Sequence, residues 1–332
     1  MTTDAKPIAR AQTPLSAVVR LSDRVLYRIS GPGTDDFLQG QMSQNLPDVS
    51  PGFSPRAAAS SPKGRAYLLT RLVRDGEDIL LSMPTTIADD VASHLNKYLM
   101  LFRGTSMERL DSGQVLGLLG EEAATSLAGR ATDLPGAASA TMMVEGGYLV
   151  RTNSTAEGIA RFELWLPSGP SDALQARLDD LAEATLADWT ASEIAAGIAE
   201  LEPDTRESWV PQMLNWQHLE GIHFKKGCYT GQEIIARMHF LGQLKKSLFR
   251  LSASGGDAPS AGSAVVAEGR PVGEVVRSVT LDDGSVQLLA VLKHSAAGSE
   301  LQLENSGQPL AILPLPYTVP EREEVEENPT DT

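Results

Sequence analysis

The 332-residue chain predicts an α+β fold followed by a separate β-rich domain. Three observations carry that reading. Apolar residues recur at three and four in several stretches before Gln243, strand-like runs stand between those stretches, and after Gln243 only short strands broken by Gly and Pro remain.

Taken in order, "VLYRI" (25–29) is the first strand-like run. Thr34 is placed to cap a helix that buries Phe37, Leu38 and Met42. "AYLLTRLV" (66–73) and "DILLSM" (78–83) are strands joined by "RDGE", whose Asp-Gly tolerates the positive φ angles of a type I′ hairpin. Thr86 is placed to cap a helix carrying Val91, Leu95 and Leu99, with Asp89 and Asp90 at its positive end. "VLGLL" (115–119) and "RFELWL" (161–166) are further strands, and Ser171 begins a third helix through Leu174, Leu178 and Leu181. From Lys246 to Tyr317 the runs "SLFRLSA", "SAVVAE", "GEVVRSV" and "VQLLAVL", interrupted by "LDDGS", predict a small barrel or sandwich. The closing "EREEVEENPTDT" reads as a solvated acidic tail.

Composition narrows the function. Lys plus Arg is 28 against 43 Asp plus Glu, a net charge of −15 that repels polyphosphate, so direct nucleic-acid binding is disfavoured. The first residues contain no apolar run of secretory type and nothing later approaches a membrane span, which predicts a cytoplasmic location without membrane attachment. A single cysteine makes no internal disulfide, and by itself it holds neither zinc nor an iron-sulfur cluster.

That cysteine stands in "HFKKGCYTGQEIIAR" (223–237). His223, Lys225 and Lys226 bring positive charge near Cys228, and cations favour the thiolate; the other reading is a small buried side chain that merely packs. Gly227 and Gly231 permit a tight turn or a close approach to a flat ligand. Glu233 either accepts hydrogen bonds from a ligand or caps a helix starting after Gly231, and Trp189 is either a stacking surface for a heteroaromatic ring or a core residue. "SSPKGRAYLLTRL" turns at Pro62 and Gly64 but lacks the phosphate-loop spacing.

"KGCYTGQE", Lys226 to Glu233, resembles the K-G-C-Y-x-G-Q-E hallmark of the YgfZ family of folate-binding proteins. "GPGTDDFLQGQMSQNL" (31–46), the "PKG" turn, "LNKYLMLFRG" (95–104) and "LPLPY" (313–317) extend the resemblance in order along nearly the whole chain. It implies a fold like the glycine-cleavage T-protein: a ring of two α+β units over residues 14–243, interleaved or not, and a C-terminal β-barrel over 244–318, leaving 319–332 as the tail. It further implies tetrahydrofolate or a folate derivative in a central channel, with an indirect effect on tRNA through iron-sulfur proteins or their assembly factors. Cys228 and Lys226 become the reactive pair, with Trp189, Tyr229, Gly231, Gln232, Glu233 and Arg237 shaping the folate site.

Two departures bear on activity. Residues 65–70 contain no acid where T-proteins place a catalytic aspartate, and Ala195 stands where relatives often carry an acid two before the glycine matching Gly197. The leading expectation is therefore a folate-dependent accessory protein, with Lys226 favouring the Cys228 thiolate. The alternatives are a folate-dependent aminomethyl or one-carbon transferase, and a scaffold whose cysteine only packs.

Overall fold

The computed structural model describes residues 16–128, 134–240 and 244–319, so the tail expected over 319–332 lies, except for its first residue, outside the described residues. The chain runs through β1 (Ala17–Arg20), β2 (Arg24–Ser30), α1 (Thr34–Gln41), β3 (Arg56–Ser60), β4 (Ala66–Asp75), β5 (Asp78–Pro84), α2 (Ala88–Leu99) and β6 (Ser106–Leu110). Next come β7 (Gln114–Leu119), α3 (Glu121–Leu127), β8 (Thr141–Val144), β9 (Gly147–Thr152), β10 (Arg161–Leu166), α4 (Asp172–Asp179), β11 (Ala182–Glu183) and α5 (Leu186–Ala195). After α6 (Gln232–Phe240) there follow β12 (Lys246–Ala253), β13 (Ala264–Ala267), β14 (Arg270–Thr280), β15 (Val286–Lys293), β16 (Leu301–Leu303) and β17 (Pro309–Leu313).

Strands β2 to β6 form one sheet in the order β3-β4-β5-β2-β6, while β1 joins β7 to β11 in a second, ordered β11-β1-β7-β10-β9-β8. The first unit is thus inserted into the second after a single strand. Side-chain alternation stacks the two sheets. Val115 and Leu119 of β7 meet Leu26, Val73 and Leu80 of the other sheet, whereas Leu116 and Leu118 turn to the opposite face against Ala123 and Leu127 of α3 and Leu174 and Leu178 of α4. On the far side of the first sheet, Phe37 and Leu38 of α1 and Val91, Leu95 and Leu99 of α2 cover Leu68, Leu72 and Leu81. The result is helix, sheet, sheet, helix, in four layers. Burying each of these Leu or Val side chains contributes roughly 1.5–3 kcal/mol, so the layering follows from the two-residue period of the strands.

The C-terminal strands close into a barrel, β12-β15-β14-β13-β16-β17, completed by β12 against β17. Leu251, Val275, Leu288 and Leu292 fill it, and Leu248, Val276 and Val291 face outward onto Ile194, Ile198, Leu214 and Trp216. That outer contact ties the barrel to the segment after α5. Among the described residues, no helix is long and apolar enough to cross a membrane.

Local chemistry departs from expectation at three points. Thr34 is the first residue of α1 rather than its cap: its hydroxyl donates to the Gly31 carbonyl (2.9 Å), so the preceding turn already uses it. Thr86 lies ahead of the Ile87 capping position of α2, whose first-turn Asp89 and Asp90 supply the negative charge instead. The β4–β5 hairpin has positive φ at Gly76 (+62°) and not at Glu77, the sign pattern of a type II′ rather than a I′ turn. Ser171 does cap α4, accepting from the Leu174 amide.

Candidate functional site

The cysteine loop is stitched to α1. Thr230 N donates to Gly40 O (3.0 Å) and His223 N to Ser43 O (2.9 Å), while Lys226 Nζ donates to the carbonyls of Gln39, Met42 and Gln44, each at 2.7 Å. A helix leaves its last carbonyls without amide partners, and a cation at that end also meets the negative pole of the dipole. Lys226 therefore closes the C-terminal end of α1. It is 7% exposed, and burial pushes its pKa down to about 7, against which three carbonyl dipoles favour the ammonium. Its Nζ also lies 4.9 Å from the centre of the Tyr229 ring, itself buried, where burial raises the phenol pKa.

The loop is also pressed against the "PKG" turn. Gly231 has φ +83°, and a Cβ there would lie 2.6 Å from Ser61 O; Gly64 has φ +70°, and its Cβ would lie 2.8 Å from Ile234 Cβ. Only glycine fits both backbones. Gln232 Oε1 accepts from Tyr229 N (3.3 Å) and its Nε2 donates to Lys226 O (3.4 Å), fastening the start of α6. Three segments distant in sequence thus converge on one turn, and Cys228 stands exposed on it. Glu233 and Arg237 are exposed on α6. All three ammonium hydrogens of Lys226 are directed to the carbonyls of Gln39, Met42 and Gln44.

The second feature lies between the two sheets and the barrel. On β10, Phe162, Leu164 and Leu166 face the helices, so the alternate residues Arg161, Glu163 and Trp165 face the other sheet. There Arg71 Nε pairs with Glu163 Oε2 (3.0 Å), Arg56 lies 3.9 Å from the same carboxylate, and Trp165 Nε1 donates to it (3.1 Å). Glu193 of α5 takes Arg277 from the barrel (2.5 Å), Arg24 (3.5 Å) and Arg161 (3.9 Å); Glu200 pairs with Arg24 and with Arg277 (3.4 Å). Burial alone would raise the Glu163 pKa, but Arg71, Arg56 and Arg24 hold it at about 2, and Glu193 is likewise lowered by Arg277, Arg24 and Arg161. Burial lowers Arg56 to about 9 and Arg161 to about 10.

This cluster borders a cavity of about 30 Å³ lined also by Trp165, Trp189 and Trp216, room for one or two waters. Trp189 is 1% exposed, with the Arg161 guanidinium 4.2 Å over its ring and Gly117 pressed so close that a Cβ would be 2.4 Å from the indole. Of the expected site residues it alone lines the cavity; Tyr229, Gly231, Gln232, Glu233 and Arg237 belong to the loop and α6, and none lines it. The arginines and glutamates escaped the sequence reading, although charges inside apolar strand runs, Arg71 in "AYLLTRLV" and Arg161 and Glu163 in "RFELWL", were the available signal. Ala195 is buried at the end of α5, and Glu193, two residues earlier, brings a carboxylate to the cavity wall.

An inserted sheet, a second sheet and a closing barrel define an aminomethyltransferase-like fold. The structure superposes on that of glycine cleavage system aminomethyltransferase T from Bartonella henselae with a TM-score of 0.72 at 20% identity, covering 91% of this chain and 86% of that one. No family model matches the sequence. Whole-chain relatives do: tRNA-modifying protein YgfZ of Yersinia pestis (strain Pestoides F) is 31% identical over 322 residues, 95% of this chain and 96% of the relative, and its Cronobacter sakazakii counterpart is 29% identical over 324 residues, 95% and 97%. The chain belongs to the YgfZ family.

Proposed function

We propose that the chain is a folate-binding accessory protein that supports the assembly or repair of iron-sulfur clusters, and through them tRNA modification, by presenting Cys228 to transient protein partners. The observation that carries this reading is the exposed thiol on a turn held by two segments distant from it in sequence, the end of α1 and the "PKG" turn. A cysteine kept only for packing is among the most buried of side chains, and this one is not. The net charge of −15 suits protein contacts and an indirect route to tRNA.

For the folate, the chemistry of the cavity wall fits one edge of a pterin: carboxylates at Glu163, Glu193 and Glu200 to accept from its amino and ring N–H groups, and indole and guanidinium donors for its carbonyl. Bound there, a folate would supply or accept a one-carbon unit. At about 30 Å³ the space must widen to admit the ring, so binding should perturb the tryptophans that line it. A transferase would need a carboxylate able to accept a proton near neutral pH. Glu163, at about 2, and Glu193, also lowered, are clamped by arginines in the opposite sense, which favours the accessory role.

Calorimetric titration of the full chain with tetrahydrofolate, followed in parallel by tryptophan fluorescence, tests the ligand; no heat and no fluorescence change up to millimolar concentration removes it. For the thiol, Cys228→Ser in cells lacking the wild-type chain should lower iron-sulfur enzyme activity at unchanged protein level. Full activity there rules out the cysteine's role.

A further inference from the structure

Five guanidinium groups, the half-buried Arg24 and the buried Arg56, Arg71, Arg161 and Arg277, meet the carboxylates of Glu163, Glu193 and Glu200 within 4 Å, with Asp23 as a fourth acid acting on Arg24, leaving one positive charge unmatched between the sheets and the barrel. Glu202 is exposed and stands at the margin. Burying charge without a counter-charge is costly, and the surplus is concentrated where solvent is least able to screen it. Unpartnered polar atoms repeat the pattern. Among the residues that line the cavity they are the indole N–H groups of Trp189 and Trp216, each residue 1% exposed, and the Ser82 hydroxyl; Arg161 Nη2, beside Trp189, makes no hydrogen bond either, its ion pair with Glu193 being 3.9 Å long. All four are donors. Water in a space of about 30 Å³ would accept those hydrogens but would not balance the charge.

We propose that this cavity binds a carboxylate, held by the guanidinium cluster and the Trp189 and Trp216 N–H groups. A planar oxyanion offers acceptors in the geometry that a guanidinium fork and flanking N–H donors satisfy, and formate-sized groups match the volume. The carboxylate is either a free small acid or the acidic arm of a larger molecule. The inference concerns the same cavity as the pterin reading but rests on its unpartnered donors and excess charge, and the carboxylate-free tetrahydropterin in the test below separates the two.

The test titrates the full chain at constant ionic strength with sodium formate, p-aminobenzoylglutamate and 6-methyltetrahydropterin, following tryptophan fluorescence and unfolding temperature, with sodium chloride as reference. Saturable formate binding supports a free small acid, and binding of p-aminobenzoylglutamate alone supports a carboxylate arm. Silence from both, or an equal response to chloride, overturns the proposal; binding of the carboxylate-free tetrahydropterin in that case leaves the folate reading standing. Trp216→Phe removes one donor and keeps an aromatic ring, and should weaken formate binding roughly tenfold. Unchanged affinity in the folded variant overturns the placement, and if the variant does not fold, the wild-type titrations decide.

Discussion

Replacing Lys226 by Met separates the two roles that this lysine has been given. The variant keeps an unbranched chain of similar length and loses the ammonium, leaving the carbonyls of Gln39, Met42 and Gln44 without the donor now 2.7 Å from each. With about 1–3 kcal/mol for each buried acceptor left unpaired, and partial rescue by water, the loss of stability should be about 3–5 kcal/mol. That is a large share of the roughly 5–15 kcal/mol by which a domain is stable. Urea unfolding followed by circular dichroism measures it, as a lower midpoint at unchanged slope. A loss below about 1 kcal/mol would refute the capping argument. The same samples decide the thiol question. If Lys226 served to activate Cys228, alkylation by iodoacetamide at neutral pH would slow markedly in the folded variant; the structure predicts a rate close to wild type, because the ammonium hydrogens are committed to α1.

Three further outcomes follow from the same geometry. Gly231→Ala forces a side chain into positive φ and against Ser61 O, where its Cβ would lie at 2.6 Å; about 2–3 kcal/mol of stability should be lost, with limited proteolysis detecting the loosened loop. Glu163, lowered from 4.5 to about 2, contributes stability that is present above pH 4.5 and disappears as pH falls toward 2, roughly 3 kcal/mol in all; acid titrations of unfolding should be shallower for Glu163→Gln, and equal slopes would contradict the pairing with Arg71. Cys228→Ser, at an exposed position, should change stability by no more than about 0.5 kcal/mol, and a larger shift in melting temperature would mean that the thiol is part of the packing.

The sequence made the strands and the barrel legible because each carries a local period. "VLGLL" sends Val115 and Leu119 to one face and Leu116 and Leu118 to the other, and that alternation is written in five residues. The insertion of one unit into the other was not legible, since nothing local tells β1 to leave its neighbour β2 and pair with β7. The loop motif marked a segment but not the contacts its residues make. Lys226 lies two residues from Cys228 in sequence, yet its partners lie at positions 39, 42 and 44, and charge adjacency along a chain does not reveal which helix end lies across the turn.

The arginine cluster shows the same limit in a stronger form. Positions 24, 56, 71, 161 and 277 come from both sheets and the barrel, and none is unusual in its own stretch until strand phase is considered. Phase is what gives them away: Arg161 and Glu163 share a face with Trp165, so this strand directs two charges inward. Such charges are costly inside a protein unless they are matched, and here Glu163, Glu193, Glu200 and Asp23 answer four of five. Arg24, Arg56 and Arg71 line an internal space shared by both sheets and the segment leading to the barrel, which is where a ligand that completes the charge balance would couple all three parts of the fold.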